Sequence, residues 1–86
     1  MKILHLIRNP GDETPLRVAA IQSRWKKSEI RVVFIQDGVY RPGAGRRGSL
    51  ACREDSEARC VAAGKKLASH SEIAEMILEF DTVVTW

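Results

Sequence analysis

Cys52 is the residue of this sequence whose type and position are best suited to chemistry. It ends a short predicted strand, Leu50–Cys52, and a predicted helix begins directly after it at Arg53. Peptide dipoles at the start of a helix and the Arg53 guanidinium stabilise a thiolate, whereas the carboxylates of Glu54 and Asp55 oppose it. These effects predict at most a modest lowering of the thiol pKa. Position alone leaves two interpretations open, a reactive thiol and a small buried apolar residue, and it favours the second.

Asp37 and Gly38 form a second group, at the end of the most apolar run of the chain, Val32–Ile35. An unbroken apolar run is typical of a strand covered on both faces, as in a parallel sheet. In open α/β sheets the carboxyl ends of such strands are where ligands bind. Asp37 and Gly38 are therefore candidate binding residues. The carboxylate of Asp37 could act as an acid or a base, but we favour a role in capping its own loop.

The segment Gly43–Gly48, with the sequence GAGRRG, matches the G-x-G-x-x-G pattern of dinucleotide-binding loops. That function needs a tight turn from a strand into a helix, but here a strand is predicted to follow. We therefore predict no cofactor. Arg46 and Arg47, together with Arg53, remain candidate binding residues because of their positive charge. The loop Arg41–Ser49 is predicted to be mobile and to contribute little to stability, since ordering its glycines costs entropy.

The remaining cysteine and the histidines are predicted to be structural or exposed. Cys60 lies within the predicted helix Arg53–Ala63 and is expected to be a core residue. Its spacing from Cys52 fits no zinc-binding pattern, and with His5 and His70 alone we predict no cluster of metal ligands. His5 is expected to be hydrogen-bonded within a strand, and His70 to be exposed at the start of a helix.

The elements that position these residues are predicted in the order β-α-β-loop-β-α-α-β. Ser69 and Glu72 match the S-x-x-E capping box, and apolar residues at helical spacing follow it. This order predicts one small α/β domain over residues 1–86, with a mostly parallel sheet flanked by helices. The predicted strands are Met1–Ile7, Ile30–Ile35, Leu50–Cys52 and Thr82–Trp86, and the predicted helices follow Thr14, Cys52 and Ser69.

Composition restricts the classes of function and partner. No apolar run approaches the ~20 residues that span a bilayer, and the apolar N-terminus is too short for a signal peptide. We therefore expect a cytoplasmic protein without a membrane partner. The net charge of +3 permits contact with nucleic acid, but five aromatic residues are too few for a base-stacking platform. Because 86 residues bury only a marginal core, we expect association through apolar surface.

Four motifs, in order along nearly the whole chain, resemble the DsrE/DsrF/DsrH family of small sulfur-relay proteins, and most closely its DsrH/TusB branch. They are Leu4-His5 with Asn9-Pro10, the strand end Gln36-Asp37-Gly38-Val39, the helix Arg53-Glu54-Asp55 with Glu57-Ala58-Arg59, and the position of Trp86.

The resemblance implies a compact α/β fold and a place in a heterohexamer with paralogous DsrE- and DsrF-like subunits. Such complexes pass persulfide sulfur along cysteines, for tRNA wobble 2-thiouridine synthesis or for sulfur oxidation, in some cases to a sulfur-carrier protein. Cys60 matches a glycine of the family, so Cys52 matches the cysteine that carries sulfur in the DsrE/TusD subunit. The TusB subunit generally lacks that cysteine. Three alternatives therefore stay open: a persulfide carrier, a non-catalytic interaction subunit or homo-oligomer, and a domain that contacts RNA through its arginine loop.

Overall fold

The computed structural model describes residues 1–61 and 65–86. Within these residues the chain forms five strands, three α-helices and one 3₁₀ helix. In chain order these elements are β1 (Lys2–Ile7), α1 (Thr14–Gln22), β2 (Glu29–Phe34), the 3₁₀ helix Gln36–Tyr40, β3 (Leu50–Cys52), α2 (Arg53–Ala58), β4 (Leu67–Ala68), α3 (His70–Glu79) and β5 (Thr82–Thr85).

The strands form one parallel sheet in the order β4-β3-β2-β1-β5. The predicted α/β class, the parallel sheet and the flanking helices are confirmed. β2 is the central strand, as its apolar run predicted, because Val33 and Phe34 are both buried and face opposite sides of the sheet. The short strand β4, which extends the sheet beyond β3, is not among the predicted strands.

Each face of the sheet has its own apolar cluster. On one face Ile7, Phe34 and Ala51 pack together, with Leu16 of α1 against them. On the other face Leu4, Val33 and Cys52 are among the residues that pack with Ile73 and Phe80, at the start and the end of the α3 segment. Because side chains alternate along a strand, Ala51 and Cys52 belong to different faces.

The sheet has a topological switch point between β3 and β4, because the segments that follow these two strands pack on opposite faces of the sheet. The chain advances from β1 to β4 in one direction across the sheet, and α3 then carries it back to β5 at the opposite edge. After β3, Val61 packs against the Phe34 face, whereas after β4 the helix α3 packs on the Val33 face. Ligand sites of open α/β sheets lie at the carboxyl ends of neighbouring strands whose connections diverge in this way.

Several local predictions are confirmed. Ser69 and Glu72 form the capping box of α3: the Ser69 hydroxyl accepts from the Glu72 N–H, and the Glu72 carboxylate accepts from the Ser69 N–H. His5 is fully buried and hydrogen-bonded. Its Nδ1 accepts from the Trp86 indole N–H at 3.0 Å. The Nε2 of the same ring must then carry the proton and donate to Gln22 Oε1.

Other local predictions are wrong. Glu13, not Thr14, is the residue that precedes α1. α2 ends at Ala58, so Cys60 lies beyond it, exposed and in the left-handed backbone region at φ 53°. The helix end expected at Gly64 lies outside the described residues.

The arginine-rich loop, Arg41–Ser49, contributes more to the fold than its glycines suggested. Ala44 is fully buried, and the N–H of Gly45 donates to the Ser49 hydroxyl at 3.0 Å. The carbonyl of Gly45 accepts from the N–H of Lys66 at 2.8 Å. The prediction of a small contribution to stability is therefore wrong, because part of the loop is core. No helix in the described part of the chain has the length and apolar character needed to cross a membrane.

Candidate functional site

The candidate site lies at the switch point, around Cys52. This residue ends β3 and is 0% exposed, packed in the same cluster as Leu50, Ala68 and Ile73. The chain turns there from an extended strand directly into α2, so that Cys52 itself precedes the helix. Its thiol therefore lies at the start of α2, buried against residues of β4 and α3 and not on the surface.

The surroundings of Cys52 disfavour a thiolate. Burial raises the pKa of the thiol to about 11, and the nearby carboxylates of Asp55 and Glu54 act in the same direction. A hydrogen bond with the backbone N–H of Asp55 opposes this rise only in part. Glu54 Oε1 lies 3.9 Å from the sulfur. The predicted lowering of the Cys52 pKa is wrong, because loss of hydration outweighs the dipoles of a six-residue helix.

His70 joins this site from the end of β4. Its backbone N–H donates to both carboxylate oxygens of Glu54, at 3.1 and 3.2 Å. Its ring Nδ1 lies 3.9 Å from Glu54 Oε2. The Cys52 sulfur, a Glu54 oxygen and a His70 ring nitrogen all lie within 4.8 Å of one another. No cluster of metal ligands was predicted from the sequence, but the pairing of β4 with β3 brings these three side chains together.

Asp55 is the second acidic residue of the site. Its Oδ2 accepts from the Gln36 N–H at 2.7 Å, and its Oδ1 lies 3.7 Å from His70 Nε2. Although burial opposes it, the hydrogen bond from Gln36 contributes to a lowered pKa for Asp55. Hydrogen bonds from its own backbone N–H and from that of His70 lower the pKa of Glu54 as well. Glu54 and Asp55 are therefore both ionised at neutral pH, with one carboxylate near each ring nitrogen of His70.

Asp37 and Gly38 lie at the same edge of the sheet, with different roles from those predicted. The Asp37 carboxylate accepts from Arg59 Nε at 3.0 Å, so it pairs with the residue that follows α2 and does not cap its own loop. The Arg59 guanidinium also donates to the Asp55 carbonyl at 3.4 Å. Gly38 is buried, and a Cβ atom there would lie 2.1 Å from the carbonyl oxygen of Ile7. Gly38 therefore has a structural role, the close approach of two backbones.

The predicted arginines do not form one group with Cys52. Arg46 and Arg47 line a groove of about 880 Å³ together with Arg41, between the loop and α1 on the Phe34 face of the sheet. Cys52 packs on the other face. Arg53 is exposed at the start of α2, and its charge contributes to the lowered pKa of Glu54. Only Arg53 of the three can thus influence the Cys52 site.

Sequence reasoning missed His70 and Arg59 as members of the site. His70 is sixteen residues from Glu54 and follows a strand of only two residues, which is too short to show a period. The capping box was the available signal, since it fixes where α3 begins. Arg59 appeared only within a motif, and its partner Asp37 is twenty-two residues away.

Comparison with known proteins supports the fold assignment. No family model and no curated protein matches the sequence. Among solved structures, the chain is similar to the crystal structure of the ychN protein from E. coli, with a TM-score of 0.70 and 18% sequence identity, over 100% of both chains. The chain therefore shares the fold of that structure.

Proposed function

We propose that this protein is a subunit of a sulfur-relay complex, in which it acts by associating with related subunits and keeps Cys52 as a protected thiol. Two observations support the sulfur-relay assignment. The fold matches that of YchN, a protein of the DsrE/F/H-like fold, over the full length of both chains. The family-like motifs QDGV and RED-EAR fall at the carboxyl edge of the sheet, where they meet through the Arg59–Asp37 and Gln36–Asp55 contacts.

The observation that carries the non-carrier role is the complete burial of Cys52. A persulfide passes between proteins when a thiolate of one attacks the outer sulfur of the other, so both sulfurs must be accessible. In this fold the sulfur is buried in the cluster that contains Ala68 and Ile73, and Glu54 and Asp55 place two negative charges beside it. Thiolate formation and approach of a second thiol are both unfavourable there.

Exposed apolar residues support a role in association. Leu78 is 87% exposed and Ile77 41% exposed, both on α3, and Leu67 of β4 is 40% exposed. β4 pairs only with β3 in the described sheet, so its other edge presents free backbone groups. Exposed apolar side chains and a free sheet edge are each typical of surfaces that are covered in a complex. The partners we propose are DsrE- and DsrF-like subunits or further copies of this chain.

The second candidate function is that of the persulfide carrier itself. The position of Cys52 favours it, because the residue lies at the switch point and within 4.8 Å of an imidazole nitrogen of His70. His70 could then accept the proton of the thiol. This function requires the buried Cys52 sulfur to become accessible before sulfur transfer.

Co-expression with the DsrE- and DsrF-like proteins of the same genome tests the proposal. We expect the chain to co-elute with them in size-exclusion chromatography, equally well as wild type and as Cys52→Ser. After incubation with a cysteine desulfurase and cysteine, mass spectrometry should find the persulfide on a partner and not on Cys52. Persulfide on Cys52 would support the carrier instead. A chain that stays monomeric at high concentration and recovers no partner would overturn the proposal.

A further inference from the structure

We propose that Cys52, Glu54 and His70 form a binding site for a zinc ion. The ligands are the Cys52 sulfur, a Glu54 carboxylate oxygen and the Nδ1 nitrogen of His70. They come from two adjacent strand ends and the helices that follow them, and the sulfur, a Glu54 oxygen and a His70 ring nitrogen lie within 4.8 Å of one another. They converge at the switch point of the sheet, where ligands of such folds bind.

The donor set selects the metal. Zinc takes cysteine sulfur, histidine nitrogen and carboxylate oxygen in a tetrahedral arrangement, whereas magnesium and calcium take oxygen ligands. Zinc–ligand bonds of about 2.0–2.3 Å separate neighbouring donor atoms by about 3.5 Å. The sulfur lies 3.9 Å from Glu54 Oε1, and Nδ1 lies 3.9 Å from the other oxygen, Oε2. Since the three donor atoms lie within 4.8 Å of one another, closing the site around an ion needs side-chain movements on the order of 1 Å.

The surrounding hydrogen bonds already orient two of the ligands. The backbone N–H of His70 donates to both oxygens of Glu54 and holds that carboxylate beside the sulfur. Asp55 Oδ1 lies 3.7 Å from Nε2 of His70, the nitrogen that would not bind the metal. The N–H of Gln36 in turn fixes Asp55. In zinc sites, the ring nitrogen of a histidine ligand that does not bind the metal commonly donates a hydrogen bond to a carboxylate. This hydrogen bond sets the tautomer and the orientation of the ring.

Charge and access also suit a divalent cation. A bound thiolate and the Glu54 carboxylate together balance two positive charges. The His70 and Glu54 side chains are 62% and 40% exposed, so the ion has a route from solvent and a water molecule can occupy the fourth position. Cys52 is buried and supplies the inner ligand. The site thus combines a buried soft ligand with an outer side that is open to water.

Cobalt(II), which binds zinc sites and reports its ligands spectroscopically, tests the proposal on the purified chain after removal of metals with a chelator. We expect one cobalt per chain, with a thiolate-to-cobalt charge-transfer band and the visible bands of a tetrahedral ion, and displacement by zinc. Cys52→Ser should remove the charge-transfer band, and Cys60→Ser, the matched control at an exposed thiol, should retain it. Zinc affinity should fall at least tenfold in His70→Gln, and about 10–100-fold in Asp55→Asn.

His70→Gln changes an exposed residue, so it keeps the proposal testable if Cys52→Ser fails to fold. The proposal would be overturned if cobalt bound without a charge-transfer band, if the band depended on Cys60, or if zinc bound His70→Gln as tightly as wild type. Zinc binding is measured on the isolated chain, whereas the sulfur-relay role is measured as complex formation. A negative result for zinc binding therefore does not contradict the sulfur-relay role, and a negative result for complex formation does not contradict zinc binding.

Discussion

The backbone N–H of His70 donates to both carboxylate oxygens of Glu54, at 3.1 and 3.2 Å. This contact joins the first residue of α3 to the first turn of α2, and the Cys52 sulfur lies beside the same carboxylate. The contact therefore fastens the start of α2 to α3 beside the buried thiol.

Glu54→Ala should make Cys52 more accessible in the folded protein. Without the carboxylate, the start of α2 loses its hydrogen bonds to α3 and opens more often, so we expect Cys52 to be alkylated roughly tenfold faster than in wild type. Peptide mass spectrometry after timed alkylation, with a chelator present, measures this rate. Glu57→Ala, an exposed change on the same helix, is the control. Equal rates in Glu54→Ala and wild type would contradict the fastening role.

Gly38→Ala should strongly destabilise the protein. The added Cβ would lie 2.1 Å from the Ile7 carbonyl oxygen, and relief of that contact requires β1 and the 3₁₀ helix to separate. We expect a loss of about 3 kcal/mol or more in the free energy of unfolding, measured by urea denaturation. Gly11→Ala is the matched control, since its Cβ would meet nothing closer than 3.6 Å, and it should stay within about 0.5 kcal/mol of wild type. Similar losses in the two variants would refute the steric explanation.

The features predicted from sequence are those that local patterns determine. The run Val32–Ile35 indicated a central strand because a strand without a polar face must be covered on both sides. Ser69 and Glu72 indicated the start of α3 because the capping box satisfies the same backbone groups wherever it occurs. Cys52 at the end of a strand followed from turn and helix signals around it. These elements depend on residues a few positions apart.

Which residues come together in the site depends on tertiary packing, and no local sequence pattern predicts that packing. The two residues of β4 bring His70 to Cys52, and two residues show no period. Arg46 was predicted as a candidate binding residue together with Arg53, but its loop packs on the Ala51 side of β3, and the alternation of a three-residue strand does not reveal which face a loop covers. The pKa of Cys52 was predicted in the wrong direction because burial is a property of the whole fold.

Trp86→Phe should destabilise the protein by about 1–3 kcal/mol, because the fully buried Nδ1 of His5 loses its hydrogen-bond donor. Phenylalanine keeps an aromatic ring in contact with the same cluster, so the lost hydrogen bond accounts for most of the effect. Thermal and urea unfolding measure the loss. Trp25→Phe, at a tryptophan that is 52% exposed, should change stability by less than about 0.5 kcal/mol. An equally small change in Trp86→Phe would show that the contact with His5 is not stabilising.

Stability should decline in alkaline solution through Cys52. Its pKa is raised by burial to about 11 in the folded protein, from 9.0 for an unperturbed thiol, so the unfolded state loses its proton first. The contribution of the protonated Cys52 thiol to the free energy of unfolding is complete below pH 9 and is lost as the pH rises towards 11. We expect wild type to lose about 2 kcal/mol more than Cys52→Ala over that range, in metal-free buffer. Parallel pH profiles of the two proteins would contradict the raised pKa. Other titrating groups are common to both and cancel in the comparison.

The measurement that tests the central claim most directly is the distribution of label between the two cysteines of the native chain. The protein is treated with an alkylating reagent at neutral pH in the presence of a chelator, so that metal binding cannot protect a thiol, and Cys52 and Cys60 are quantified by peptide mass spectrometry. We predict that the exposed Cys60 is alkylated and the buried Cys52 is not, and that denaturant makes both reactive. Alkylation of Cys52 in the native protein as fast as that of Cys60 would contradict the account and favour the persulfide carrier.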